Sequence, residues 1–235
     1  MKDIIGKSVF LGSLKQYYVL EILQWIVSIA TATLLLPYTV YHFERWRVTN
    51  SQISGKRLLF KGKLWHAYGI FLIWLISLSL FLALSNFVLD VLNFLLPKQF
   101  VFWAVNLIVL FLNTYLLRIY YRMWVKRCLA FAESIAPTAL KSMPLKTMET
   151  SVKAWAICTF SLKLASPHAH YLQMKHFAEQ TMLSGKRLKF EGGLDELYKV
   201  WWQSLGLCLL TLGLYLPVLH YKIYCWRIGG LALTA

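Results

Sequence analysis

The chain has 235 residues, of which 58% are hydrophobic and 15% charged, and its formal net charge is +15. A soluble domain is nearer about 45–50% apolar and about 25% charged, so the composition argues against an ordinary soluble protein. The charge does not call for nucleic acid, because 13 of the 25 Lys and Arg lie between Arg118 and Lys199 and six more between Arg45 and Lys63, the loop-concentrated pattern of cytoplasmic faces.

Four apolar runs follow in order. They cover about Tyr18–Tyr38, Tyr68–Leu96, Phe100–Tyr120 and Val200–Leu219, and each reaches the roughly 20 residues that a membrane-crossing helix needs. The first is too long for the apolar core of a cleaved signal peptide. The segment Arg45–Phe60 is polar and partly alternating, and predicts a short β-hairpin or extended loop turning at Ser54-Gly55. The Pro97-Lys98-Gln99 turn links the second and third runs. The region 137–150 reads as the main linker. Val152–Ala165 is apolar but short, with Lys153 and Lys163 about its centre, and predicts a helix lying on the membrane surface. Tryptophans and tyrosines flank the runs as interfacial belts.

The resulting division is 1–64, a first repeat with one span and a basic loop; 65–128, a central hairpin; 129–183, a cytoplasmic or interfacial linker region; and 184–235, a last repeat with the fourth span. Basic loops place 38–64 and 121–199 in the cytoplasm. The expected fold is an all-α membrane protein with about four transmembrane helices, internal repeats and short extended cytoplasmic segments. In the alternative, the first and fourth runs enter and return on one side, broken near Pro37 and Pro217, since proline removes a helix donor and kinks the helix.

The chain repeats itself. Phe10–Arg47 aligns with Phe190–Arg227 without a gap, with 11 identities in 38 positions. The opening phrase recurs between them: Gly55-Lys56-Arg57, Phe60, Gly62 and Leu64 match Gly185-Lys186-Arg187, Phe190, Gly192 and Leu194. One unit is thus used about three times. These phrases lack the spacing of a phosphate-binding loop. Their glycines predict tight turns, with Lys and Arg near lipid phosphates or a partner and Phe60 and Phe190 dipping into the interface.

The phrase Gly-Lys-Arg-Leu-x-Phe-x-Gly-x-Leu, the box Thr211-Leu212-Gly213-Leu214-Tyr215-Leu216-Pro217, and Tyr221 to Trp226-Arg227 resemble the YjgN-like family. These are bacterial multi-pass inner-membrane proteins with no known function. The last copy matches well, the first departs at Thr31-Ala32-Thr33-Leu34-Leu35-Leu36-Pro37, and the middle one keeps only the opening phrase. The resemblance implies the bacterial plasma membrane and no activity.

Asn86, Asp90 and Asn93 share one helix face, and Asn106 and Asn113 share another on the returning arm. The plain reading is hydrogen bonding between helices; the sharper one is an ion or proton site or a polar pore. Glu21 falls early in the first run and is expected at the interface beside Lys15. His168, His170 and His176 lack a metal-site scaffold and read as a solvated juxtamembrane loop. The scattered Cys128, Cys158, Cys208 and Cys225 read as buried thiols. No catalytic constellation stands out, so no enzyme, cofactor or metal is expected. The expected function is a subunit or scaffold of a plasma-membrane complex whose basic cytoplasmic face docks a soluble partner or anionic lipid headgroups. The alternative is an oligomeric pore or transporter around Asp90. A homo-oligomer is expected in either case.

Overall fold

The computed structural model describes residues 7–31, 33–92, 128–131, 139–140, 165–183 and 186–233, with isolated positions from 124 to 157, and describes side chains throughout except at 84–92, 130–131, 139–140 and 183. Strand β1 (Val9–Phe10) leads into helix α1 (Leu14–Ala30), a tight turn and helix α2 (Leu36–Thr49). Strands β2 (Ser51–Ile53) and β3 (Lys56–Phe60) precede the long helix α3 (Leu64–Leu92). Strands β4 (Leu129–Phe131) and β5 (Ala139–Leu140), helix α4 (Ser166–Gln180), and strands β6 (Thr181–Leu183) and β7 (Lys186–Phe190) follow. Helices α5 (Leu194–Leu210) and α6 (Leu216–Gly229) and strand β8 (Leu231–Leu233) complete the described chain.

Local chemistry sets the boundaries. Ser13 caps α1, its hydroxyl accepting from the Gln16 N–H at 3.2 Å, which satisfies a donor the helix leaves open. Asp195 and Glu196 occupy the first turn of α5, where carboxylates complement the helix dipole. Helices α2, α4 and α6 each carry a proline in their first turn, where its missing N–H costs nothing and its fixed φ fits. Ser54 and Gly55 have φ of 50° and 78°, the positive pair that a two-residue hairpin turn requires. The hairpin is therefore confined to Ser51–Phe60. Arg45–Thr49, expected as extended, continues α2.

The strand registers expose a repeat that is more regular than the sequence. Phe10 pairs with Ser51, Phe60 with Leu129, Leu140 with Thr181 and Phe190 with Leu231, all antiparallel. Each pair closes one copy of a single unit: a strand, a helical excursion and a return strand. The described residues carry four such pairs, where the sequence suggested about three copies. After three of these opening strands the next residue repeats one hydrogen bond: Leu11 N–H to Asn50 O at 2.7 Å, Lys61 to Cys128 at 2.8 Å, and Glu191 to Gly230 at 2.7 Å. Copies one and two share a four-stranded sheet in the order β1-β2-β3-β4, and copies three and four share β5-β6-β7-β8. The joining hairpins match in register: Gln52 faces Arg57 and Ile53 faces Lys56, as Met182 faces Arg187 and Leu183 faces Lys186. Strand β5 lies within 137–150, the stretch expected as a linker. It is too short to show alternation.

The chain divides into two compact bodies, Met1–Gly62 with Lys126–Ala235, and Lys63–Val125. The second body contains α3 of copy two, in which Ala67 and Phe71 are buried and the Phe71 and Trp74 rings lie tilted at 5.5 Å. The core of the first body gathers equivalent residues from different copies: Val48, Ala178 and Ile228; Leu58 and Leu188; Ile53 and Leu233. Ser8 stands where Leu58 and Leu188 stand in other copies. Its hydroxyl donates to Leu231 O and accepts from Ser54 N–H, so the polar replacement is satisfied.

Candidate functional site: apolar hairpin tips and a basic strand layer

The two outer copies fold the first and fourth apolar runs into helical hairpins. In each, the chain leaves from one strand and returns to its neighbour, so both ends of the hairpin meet at the sheet. The bends share one chemistry. The Thr31 hydroxyl donates to Val27 O at 2.7 Å and accepts from Leu35 N–H at 3.3 Å. The Thr211 hydroxyl donates to Leu207 O at 2.7 Å and accepts from Tyr215 N–H at 3.1 Å. A left-handed residue follows two positions on, Thr33 at φ 72° and Gly213 at φ 91°. Its N–H reaches five residues back, to Ser28 O and Cys208 O respectively. Pro37 and Pro217 then stand in the first turns of the returning helices.

The tips are apolar and uncovered. Ile29 is 81% exposed, Leu210 82% and Leu212 96%. Leu34, Leu209 and Leu214 are exposed too. Large contiguous apolar exposure marks a surface that something else covers. In the other body, Leu64–Ala83 is the one helix among the described residues that is long and apolar enough to cross a membrane.

At the opposite end of the hairpins lies the strand layer. Lys56 and Arg57 are exposed while Leu58 is buried, and Lys186 and Arg187 repeat this beside buried Leu188. The repeat-phrase aromatics pack, partly buried, against the core. The Phe60 ring meets Tyr41 at 5.8 Å and 61°, and the Phe190 ring meets Tyr171 at 6.0 Å and 63°. Phe10 meets Tyr221 at 5.7 Å and 62°. Each phenylalanine thus packs on the tyrosine four residues after the helix-starting proline of another copy. The glycine two residues after each phenylalanine leaves room for its ring: a Cβ on Gly62 would lie 2.6 Å from Phe60, and one on Gly192 2.6 Å from Phe190. These contacts join copy one to copy two, copy three to copy four, and copy four back to copy one.

The seam between copies four and one carries most of the buried polar chemistry. Glu21 is 5% exposed and pairs with His220 of α6 at 2.5 Å, not with Lys15. Its other oxygen is buried without a partner among the described residues. The Arg47 guanidinium pairs with Glu44 at 3.1 Å and lies over the Tyr224 ring at 4.4 Å. The Tyr224 hydroxyl contacts Ser51 Oγ at 3.1 Å. Burial raises the Tyr224 hydroxyl above its ordinary pKa, with Arg47 opposing. Tyr17 is likewise raised by burial. Nothing in the sequence alone linked Glu21 to His220.

Of the polar stripe, Asn86 and Asp90 lie on the backbone of α3; Asn93, Asn106 and Asn113 lie outside the described residues, as do Gly185 and Cys158. His168, His170 and His176 lie on α4, not in a loop, because Pro167 starts a helix there. His170 receives a hydrogen bond from Arg227 at 2.8 Å, and His176 contacts Gln180. Among the described residues no group of three metal-ligating side chains gathers. Cys128, Cys208 and Cys225 are free thiols, and burial pushes Cys128 up to about 11. Of the expected surface helix Val152–Ala165, Lys153, Ala154 and Ile157 are helical, and Ala154 is buried; most of the rest lies outside the described residues.

No curated protein and no solved structure matches this chain. A family profile does, over residues 7–234, and that span takes in all four strand pairs. The chain therefore belongs to the family described as bacterial protein of unknown function (DUF898), which is the YjgN-like family.

Proposed function

We propose that this protein is a scaffold seated in the bacterial plasma membrane, with its apolar helices in lipid and a basic strand layer that docks an acidic soluble partner. The observation that carries the reading is the duplicated basic pair. Lys56-Arg57 and Lys186-Arg187 occupy the same register positions in two sheets and are exposed in both. Charge arranged this way steers an oppositely charged partner and fixes its orientation. The exposed apolar tips lie at the far ends of α1 and α5, each roughly 25 Å long at 1.5 Å per residue. Docking surface and lipid surface are thereby kept apart. The packed apolar cluster of Val48, Ile53, Leu58, Leu188, Ile228 and Leu233 supports a scaffold over a channel through the strand layer.

Reversal of all four basic residues to glutamate, followed by native mass spectrometry of gently extracted protein, tests the reading. Loss of a stoichiometric partner with the fold intact supports it. Loss of retained anionic lipid alone moves the role of this face to headgroups. Altered ion leakage in Asp90→Asn with unchanged protein abundance would replace the scaffold with a pore.

A further inference from the structure

We propose that the two outer hairpins are re-entrant anchors, each entering one leaflet of the bilayer and returning, so that neither the first nor the fourth apolar run crosses the membrane. The inference rests on the membrane reading above and adds the depth and direction of these segments.

Three observations carry it. The first is charge placement. No charged or histidine side chain occurs between Glu21 and His42, nor between Lys199 and His220, and each bend falls in the middle of its uncharged stretch. The second is length. From Ile22 to Ala30 an α-helix rises roughly 14 Å, which matches half of a hydrocarbon core of about 30 Å. A straight helix over the whole stretch would span the core; the observed hairpin reaches its middle.

The third is the backbone of the fourth-copy bend. Every N–H from Thr211 to Leu219 is hydrogen-bonded within the hairpin, and Pro217 has none to satisfy. A turn in water does not need this, because water satisfies its donors. A turn in hydrocarbon does, since each open group there costs several kcal/mol. Yet the side chains around this closed turn are leucines with no cover, Leu212 at 96% and Leu210 at 82% exposure. Satisfied N–H donors beside open apolar side chains fit acyl chains. Charge returns along the arms on the sheet side of each uncharged stretch, at Lys15 and Arg45 and at Lys199 and Lys222, the last donating to the Tyr215 hydroxyl at 3.1 Å.

A re-entrant fourth run has Lys199 and Lys222 on one membrane face and Leu210 buried in lipid. Single cysteines at these three positions, in a Cys→Ser background, are exposed to a membrane-impermeant maleimide in sealed vesicles of both orientations. A bimane on Leu210→Cys is also quenched with doxyl lipids. The expected result is labelling of Lys199→Cys and Lys222→Cys from the same face, none of Leu210→Cys from either, and strongest quenching by deep doxyl groups. Labelling of the two flanks from opposite faces means a crossing run and overturns the inference while the membrane reading stands. Aqueous labelling of Leu210→Cys overturns both. Should those variants fail to fold, Lys15→Cys, Arg45→Cys and Ile29→Cys put the same question to the first hairpin.

Discussion

The ring of Phe10 lies edge-on to that of Tyr221, 5.7 Å between centroids at 62°, and this contact closes the last copy onto the first. Tyr221 adds a hydrogen bond from its hydroxyl to Gly12 O at 3.0 Å. Helix α6 packs on β1 as α2 packs on β3 and α4 on β7, so one packing rule is used at the seam and within each pair of copies. Phe10 is 8% exposed. Phe10→Ala should cost about 3–5 kcal/mol, as deleted core aromatics do. A double-mutant cycle with Tyr221→Leu should show about 0.5–1.5 kcal/mol of coupling, read by thermal unfolding in detergent. Zero coupling would mean that the seam is not held by this pair.

Close approach at the strand ends gives a second prediction. A Cβ at Gly230 would meet backbone of Gly192 at 2.9 Å, whereas a Cβ at Gly192 meets the Phe190 ring. A ring can shift; backbone held next to the Glu191–Gly230 hydrogen bond shifts less readily. Gly230→Ala should therefore destabilise by about 1–3 kcal/mol and by more than Gly192→Ala. The reverse order would place the constraint on the ring.

The two bends carry different residues at their shared left-handed position. Gly213 holds φ 91° in the fourth copy, while the first places Thr33 at φ 72°. A β-branched residue is strained there. Thr33→Gly should stabilise the first hairpin by up to about 1 kcal/mol, and Gly213→Ala should destabilise the fourth by a similar or larger amount. Opposite signs in the same melting assay are the expected outcome; equal signs would contradict it.

Alkaline pH should act through Tyr17 and Tyr224. Burial raises both above the ordinary value, Arg47 opposing in each case. Folding thus favours the neutral phenols. Their contribution is present below about pH 10, where the unfolded chain begins to ionise, and is lost as pH rises through the folded pKa. Each group can change stability by up to about 1.4 kcal/mol per pH unit in that window. Tyr17→Phe should flatten the fall above pH 10 and leave neutral pH stability against pH unchanged in slope. An unaltered alkaline slope would remove Tyr17 from the account.

Much of this was legible in the residues. The gapless match of Phe10–Arg47 to Phe190–Arg227, the turn at Ser54-Gly55 and the breaks at Pro37 and Pro217 are local signals, and local geometry follows them. Copy three was hidden because its opening strand carries Leu140 where the others carry phenylalanine, and a strand of this length has no periodicity. Pro167 and Tyr171 keep the spacing of Pro37 and Tyr41 and of Pro217 and Tyr221; that was the available clue. The packing of Phe60 and Phe190 against the core was not readable, because their partners come from other copies far along the chain. The same holds for Glu21 and His220. The basic pairs were readable as a candidate surface, but their matched register needed the sheets.

Native mass spectrometry of the protein extracted from its own membrane puts the proposed membrane-seated scaffold with a basic docking face to the test. The account predicts a stoichiometric acidic subunit that persists with the wild-type chain and is lost when Lys56, Arg57, Lys186 and Arg187 become glutamate. A homo-oligomer carrying only lipid, unchanged by those substitutions, would contradict it.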